Sequence, residues 1–228
     1  MTRTTNSAIK AILFDLDGTL ADTAQDLAFA LNQVLIEQGK PALAFEKIRP
    51  VVSHGGIALI KLGFKLAPED KEFEPLRQRL LTIYQDNICL KTVLFPQIQN
   101  ILDYLESKQI KWGIVTNKPG WLTFPLLEAM DISPPPDTVV CGDTLEQRKP
   151  DPAPLFHACQ QMNLAPEQCI YVGDARRDIE AGKAAGMQTI AIGYGYIESD
   201  DPFNSWEADY NLATELDLLN FCQTQLLS

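Results

Sequence analysis

Several things are scarce in this chain. Its five cysteines, Cys89, Cys141, Cys159, Cys169 and Cys222, form an odd, scattered set without a C-x-x-C pair. That excludes a disulfide framework and a zinc site, and leaves the thiols as small core fillers. Basic residues are also short: 19 Lys and Arg face 30 Asp and Glu, for a net charge of -11, and no Lys/Arg block occurs anywhere. A surface of that sign repels phosphate backbones, so nucleic acid is excluded as a partner and a small substrate in a locally positive pocket is expected. No apolar run is long enough for a membrane span, and the polar opening Met1 to Lys10 lacks the apolar core of a signal peptide. A cytoplasmic protein without membrane contact is the expectation. Repeats and low-complexity tracts are missing too, and 46% apolar with 21% charged residues is ordinary for a globular chain. At 228 residues, one core plus an insertion is the natural organisation.

What is present is organised around residues 11–20, Ala-Ile-Leu-Phe-Asp-Leu-Asp-Gly-Thr-Leu. A short apolar run fit for one buried strand leads straight into Asp15 and Asp17. Carboxylates are costly at the end of a buried strand unless paired or metal-bound, so a cation belongs there. Leu27, Leu31, Val34 and Leu35 then mark one face of a helix over 23–38, which Gly39 and Pro41 end. More helical signals follow at 45–49, 56–64 and 68–87 with no strand between them. A helical block after one strand cannot complete a sheet, so 23–91 reads as a separate small helical domain.

From Leu94 the pattern alternates. Helices are expected at 97–107, 120–130 (disturbed by Pro125), 151–163 and 176–186, strands at 111–115, 138–141, 169–172 and 188–192, and a last helix from Glu215. Such alternation predicts an α/β fold, a parallel sheet covered by helices on both faces. Ligands of open parallel sheets bind beyond the carboxyl ends of the strands. The polar residues just after each strand are therefore read together: Asp15 and Asp17, Thr116 and Asn117, Lys149, then Asp174 and Asp178. They offer carboxylates for a divalent cation, a hydroxyl and amides for phosphate oxygens, and an ammonium to balance charge.

Asp-Leu-Asp-Gly-Thr-Leu-Ala-Asp (15–22), Thr-Asn-Lys (116–118), Lys-Pro-Asp-Pro (149–152) and Gly-Asp-Ala-Arg-Arg-Asp (173–178) resemble the four ordered motifs of the haloacid dehalogenase superfamily. The helical insertion after the first motif is similar to that of its phosphoglycolate phosphatase-like subgroup. A narrower likeness, carried by Val-Thr-Asn-Lys-Pro, Gly-Asp-Ala-Arg-Arg-Asp-Ile-Glu-Ala-Gly and 194–197, is to bacterial N-acetylmuramic acid 6-phosphate phosphatases. The resemblance implies a Rossmann-like catalytic core of 1–22 and 92–228 with the all-helical 23–91 as a cap. It implies a Mg²⁺-dependent phosphatase acting on a small phosphorylated acid or sugar phosphate through an aspartyl-phosphate.

In that scheme Asp15 is the nucleophile, and Asp17 is the general acid and base whose backbone carbonyl also serves the metal. Thr116, Asn117, Gly18 and Thr19 meet the phosphoryl group, and Lys149 neutralises nucleophile and phosphate together. Asp174 is a metal ligand with Asp15 and Asp17, and Asp178, one helical turn on, acts on the same region through water. His54, in the Ser53-His54-Gly55-Gly56 loop between cap helices, is expected to touch substrate, whereas His157 is structural. Arg176 and Arg177 read as solvated helix residues. Rival readings are a sugar phosphomutase on the same motifs and a non-catalytic binding module on the same fold; a dehalogenase needs neither Asp17 nor Mg²⁺.

Overall fold

In the computed structural model, residues 8–226 are described, and the start of the polar opening and the last two residues of the tail lie outside them. The central strand β1, Ala11–Phe14, is completely buried along its length. Alternate side chains of an extended strand face opposite ways, and here each face has its own core. Ile12 and Phe14 pack with Ile101, Leu105 and Leu218, while Ala11 and Leu13 pack with Leu155, Cys159 and Ala181. A strand buried on both sides reads as a continuous apolar run, which is what the sequence shows.

Around it the chain lays down β4 (Lys111–Val115), β5 (Thr138–Val140), β6 (Cys169–Gly173), β7 (Gln188–Ile192) and β8 (Tyr210–Leu212). Between or after these strands run α5 (Ile98–Ser107), α6 (Gly120–Met130), α7 (Ala153–Met162), α8 (Arg176–Ala185) and α9 (Glu215–Gln225). All pairings are parallel, and the order is β5-β4-β1-β6-β7-β8. The order reverses around β1, so the crevice beyond its carboxyl end is where a ligand belongs. The α/β parallel sheet expected from the alternation is thus what the chain forms.

Leaving β1, the chain makes β2 (Ala21–Asp22), then the helices α1 (Ala24–Glu37), α2 (Phe45–Ile48), α3 (Gly55–Phe64) and α4 (Phe73–Asp86), and returns through β3 (Val93–Leu94). α1 packs on α3 and α4. The outgoing and returning segments pair antiparallel, Ala21 with Leu94 and Asp22 with Val93. Buried Asp26, on the first turn of α1, ties this crossing: its carboxylate accepts the Lys91 N–H at 3.0 Å, the Thr92 N–H at 3.0 Å and the Thr92 hydroxyl at 2.8 Å. Asp26→Ala would leave those donors unpaired at about 1–3 kcal/mol each. We expect thermal unfolding of that variant to show a loss of roughly 3 kcal/mol or more, and Asp26→Asn to lose less.

Three differences from the sequence reading have local causes. The sixth strand, β8, went unexpected because its burial is slight along Tyr-Asn-Leu and shows no alternation. The helix expected over 68–87 begins at Phe73, since residues 68–72 form turns in which the Asp70 carboxylate accepts the Ala67 N–H at 2.7 Å. A 3-10 turn, Arg49–His54, links α2 to α3, and the sequence shows little besides Pro50 to mark it. The cysteines are free; four are buried and Cys89 is half-buried, as core fillers would be. Among the described residues no helix is long and apolar enough to cross a membrane.

Candidate active site

The end of β1 continues its ladder one residue further, with the Asp15 N–H donating to the Val172 carbonyl at 2.9 Å. The next residues turn back sharply: the Leu16 carbonyl accepts the N–H groups of Leu20 and Ala21 at 3.1 and 3.0 Å. Gly18 sits in that turn at φ +86°, and a Cβ there would lie 2.1 Å from an Asp174 carboxylate oxygen. Only glycine meets both demands, so the residue is what lets the loop close against Asp174.

Three carboxylates, Asp15, Asp174 and Asp178, bring oxygen atoms within 4.8 Å of one another, all buried. Asp178, on the first turn of α8, accepts the Ala175 N–H at 3.0 Å. Lys149 answers two of the three, with its Nζ 3.0 Å from Asp15 and 2.8 Å from Asp178. The same Nζ donates to the Val115 carbonyl at 2.9 Å and meets the Tyr171 hydroxyl at 2.7 Å. Asp174 has no ion-pair partner among the described residues; it accepts hydrogen bonds from Thr19 Oγ1 (3.2 Å), Ser53 Oγ (2.8 Å) and the Tyr196 N–H (2.9 Å). Burial, then repulsion from Asp15 and Asp178, pushes its carboxyl up to about 7. Burial first, and Asp15 also, raises Asp178, though Lys149 opposes them. Converging oxygen ligands with uncompensated negative charge fit a hard divalent cation.

Asp17 stands apart from this cluster. Its Oδ1 accepts from Thr23 Oγ1 at 2.6 Å and from Lys118 Nζ at 2.9 Å. Lys118 in turn meets the Tyr84 hydroxyl, from α4, at 2.9 Å. Burial alone would lower the Lys118 ammonium, yet Asp17 and Tyr84 outweigh it and hold the group above the ordinary lysine value. Burial pushes Tyr84 itself up to about 12. The two aspartates two residues apart therefore have separate cations, Lys149 for Asp15 and Lys118 for Asp17.

Asp15, Asp17, Thr116, Asn117 and His54 line one cavity of about 630 Å³ between the strand ends and the helices of 23–91. Thr116 Oγ1 accepts the Lys118 N–H at 3.2 Å. The Asn117 side chain turns aside to hold Lys149, giving to its carbonyl at 2.9 Å and taking its N–H at 3.1 Å. The Thr19 hydroxyl is turned onto Asp174, as above. His54 is half-exposed and pairs with Glu198, while His157 sits on α7 beside Gln161.

Arg176 is exposed and pairs with Asp201, as a solvated helix residue does. Arg177 departs from that reading. Its side chain lines the cavity, its Nη2 donates to the Ser53 carbonyl at 2.8 Å, and its Nε is buried without a partner. Burial would lower this guanidinium, but Asp178, Asp15 and Asp174 hold it above the usual value. Sequence reasoning gave no role of their own to Lys118, Tyr84 and Ser53. Lys118 carried a signal as the third residue of Thr-Asn-Lys, and Ser53 as the first of the Ser53-His54-Gly55-Gly56 loop; Tyr84 carried none, because its partner lies far away in the chain.

The family model described as haloacid dehalogenase-like hydrolase matches residues 12–192. The chain is 39% identical over 210 residues to a protein of Pseudomonas putida named N-acetylmuramic acid 6-phosphate phosphatase, covering 92% of this chain and 94% of that one. It is 40% identical over 200 residues to a phosphoglycolate phosphatase of Xanthomonas campestris pv. campestris, covering 88% and 90%. A crystal structure from Haemophilus somnus 129PT, described as a predicted phosphoglycolate phosphatase, superposes with a TM-score of 0.80 at 28% identity, covering 95% of this chain and 99% of that one.

Proposed function

This chain belongs to the haloacid dehalogenase-like hydrolase family, and we propose that it is a divalent-cation-dependent phosphatase that uses Asp15 as nucleophile on the 6-phosphate of N-acetylmuramic acid or a close relative. The observation that carries the proposal is the pair of aspartates with separate cations on one cavity wall. A carboxylate held in place by a lysine at 3.0 Å is aimed, which suits attack. A second carboxylate two residues on, held by a hydroxyl and another lysine, suits proton transfer.

The Asp15 carboxylate attacks phosphorus in line while Asp17 gives its proton to the departing alkoxide, leaving an aspartyl-phosphate and a free alcohol. Asp17, now ionised, takes a proton from the water that attacks the same phosphorus, releasing phosphate and restoring Asp15. Lys149 and the Thr116 hydroxyl, with the adjoining amides, face the charge on the phosphoryl oxygens. Asp15, Asp174 and Asp178, with the Asp17 carbonyl, would hold Mg²⁺, which supplies the positive charge that lets an anionic nucleophile approach a phosphate dianion. Residues 23–91 form the cap in this reading, excluding water and contacting the leaving group through Ser53 and His54.

The relatives act, by name, on esters of very different size. A cavity of about 630 Å³ is in the range that takes drug-sized ligands, and this supports the amino-sugar acid over the two-carbon acid. Phosphate release from N-acetylmuramic acid 6-phosphate, 2-phosphoglycolate and hexose phosphates tests it. We expect kcat/KM to favour the first by roughly ten-fold or more, with activity lost in EDTA and restored by Mg²⁺. No phosphate from any of them in Mg²⁺ would refute the phosphatase, and an isomerised sugar phosphate would make the protein a mutase.

A further inference from the structure

We propose that Arg148, with the Trp121 indole lining the same cavity, forms a subsite that reads a carboxylate on a phosphorylated sugar acid and so determines specificity; this rests on the phosphatase reading and names the residues that would make it selective.

Four cationic side chains line the cavity, Arg77, Lys118, Arg148 and Arg177. Three are committed. Lys118 is paired with Asp17 at 2.9 Å, Arg77 with Glu74 at 2.8 Å, and Arg177 donates to the Ser53 carbonyl at 2.8 Å beside the acidic cluster. The Arg148 side chain makes no ion pair or hydrogen bond among the described residues. Asp143, which shares the wall, is engaged by the Gly120 N–H at 2.7 Å.

The placement follows from the backbone. Asn117 clamps the main chain of Lys149 on both its N–H and its carbonyl, and Lys149 turns inward to Asp15. The preceding residue, Arg148, is left exposed on the cavity side. One loop thus supplies a buried ammonium for the reacting end and a free guanidinium for the rest of the ligand. Trp121, on the first turn of α6, is 42% exposed and lines the same cavity, with Ile57 of the helical block 48% exposed on its wall. An indole and an aliphatic side chain accept the apolar face of a ring. A single unpaired guanidinium matches a single carboxylate, which it can hold by two parallel hydrogen bonds, better than a second phosphate dianion.

The test uses two esters that differ only in the acidic side chain, N-acetylmuramic acid 6-phosphate and N-acetylglucosamine 6-phosphate. Arg148 and Trp121 are both exposed, so their substitution leaves the fold intact. Arg148→Ala is expected to lower kcat/KM for the acid-bearing ester by about 10–100-fold and to leave the other within about 3-fold. Trp121→Ala should lower both. Equal effects of Arg148→Ala on the two esters, or none on the acid, would overturn the subsite. If the wild-type protein hydrolyses neither, calorimetric binding of free N-acetylmuramic acid decides the subsite, and release from 2-phosphoglycolate and hexose phosphates decides the phosphatase reading separately. Binding stronger than that of N-acetylglucosamine and lost in Arg148→Ala upholds it; equal binding of the two sugars by the wild-type protein overturns it.

Discussion

Asp15→Asn should stop turnover while leaving the protein folded. Phosphate release is expected to fall by about 10⁴-fold or more, the scale on which losing a covalent nucleophile acts in other enzymes. The change is nearly isosteric, and Lys149 keeps Asp178 at 2.8 Å, so the buried ammonium is not stranded. It also removes one of the charges that crowd Asp174. The melting temperature in EDTA near pH 8 should therefore stay level or rise as activity disappears, and measuring both on one preparation separates chemistry from folding. An Asp15→Asn protein with ordinary turnover would exclude Asp15 as the attacking group.

The second large effect is on stability against pH. Asp174 holds its proton up to about 7 in the folded protein, whereas an unfolded Asp releases it near 3.9. Between those values the native state carries more protons than the unfolded one, so stability falls as pH rises through the window and levels off above it. With roughly three units of difference the loss approaches 4 kcal/mol. Asp178, raised for the same reason, adds in the same direction. A divalent cation needs the ionised carboxylates, so it displaces the proton and its stabilising effect grows toward neutral pH. Thermal unfolding from pH 4 to 8 should show a declining curve in EDTA and a flatter one in Mg²⁺, and Asp174→Asn should lose most of that difference. Equal Mg²⁺ stabilisation at pH 5 and pH 8 would contradict the linkage.

Much of the candidate site was legible because Asp15, Thr116 and Asp174 each follow an apolar strand, and a parallel sheet gathers such strand ends at one edge. Lys149 lies in a loop well after its strand, and it was the motif resemblance that set it with the others. The contacts that escaped notice join residues across long intervals of chain. Ser53 reaches Asp174 over 121 positions, and Tyr84 reaches Lys118 over 34. No local pattern encodes such a contact; it depends on how the inserted helices lie on the sheet. Arg177 was misread for a related reason, since its charge suggests solvent while its side chain lines the cavity and reaches the Ser53 carbonyl, 124 positions away in the chain. Asn117 shows the limit of motif reading in the other sense. Its position was evident, but its amide serves the backbone of Lys149, a job that only the folded loops reveal.

The short ladder joining Ala21–Asp22 to Val93–Leu94 has a consequence for how such a protein can change. Because departure and return are neighbours, the distance the sheet must span between them is set by a ladder of two residue pairs, whatever lies in between. Helices of the intervening block can be lengthened, shortened or exchanged for another fold without moving Asp15 relative to Lys149. Selection can therefore remodel what is recognised while the reacting groups stay still, and a transplanted block from a relative is a ready way to redirect the protein toward a new ester.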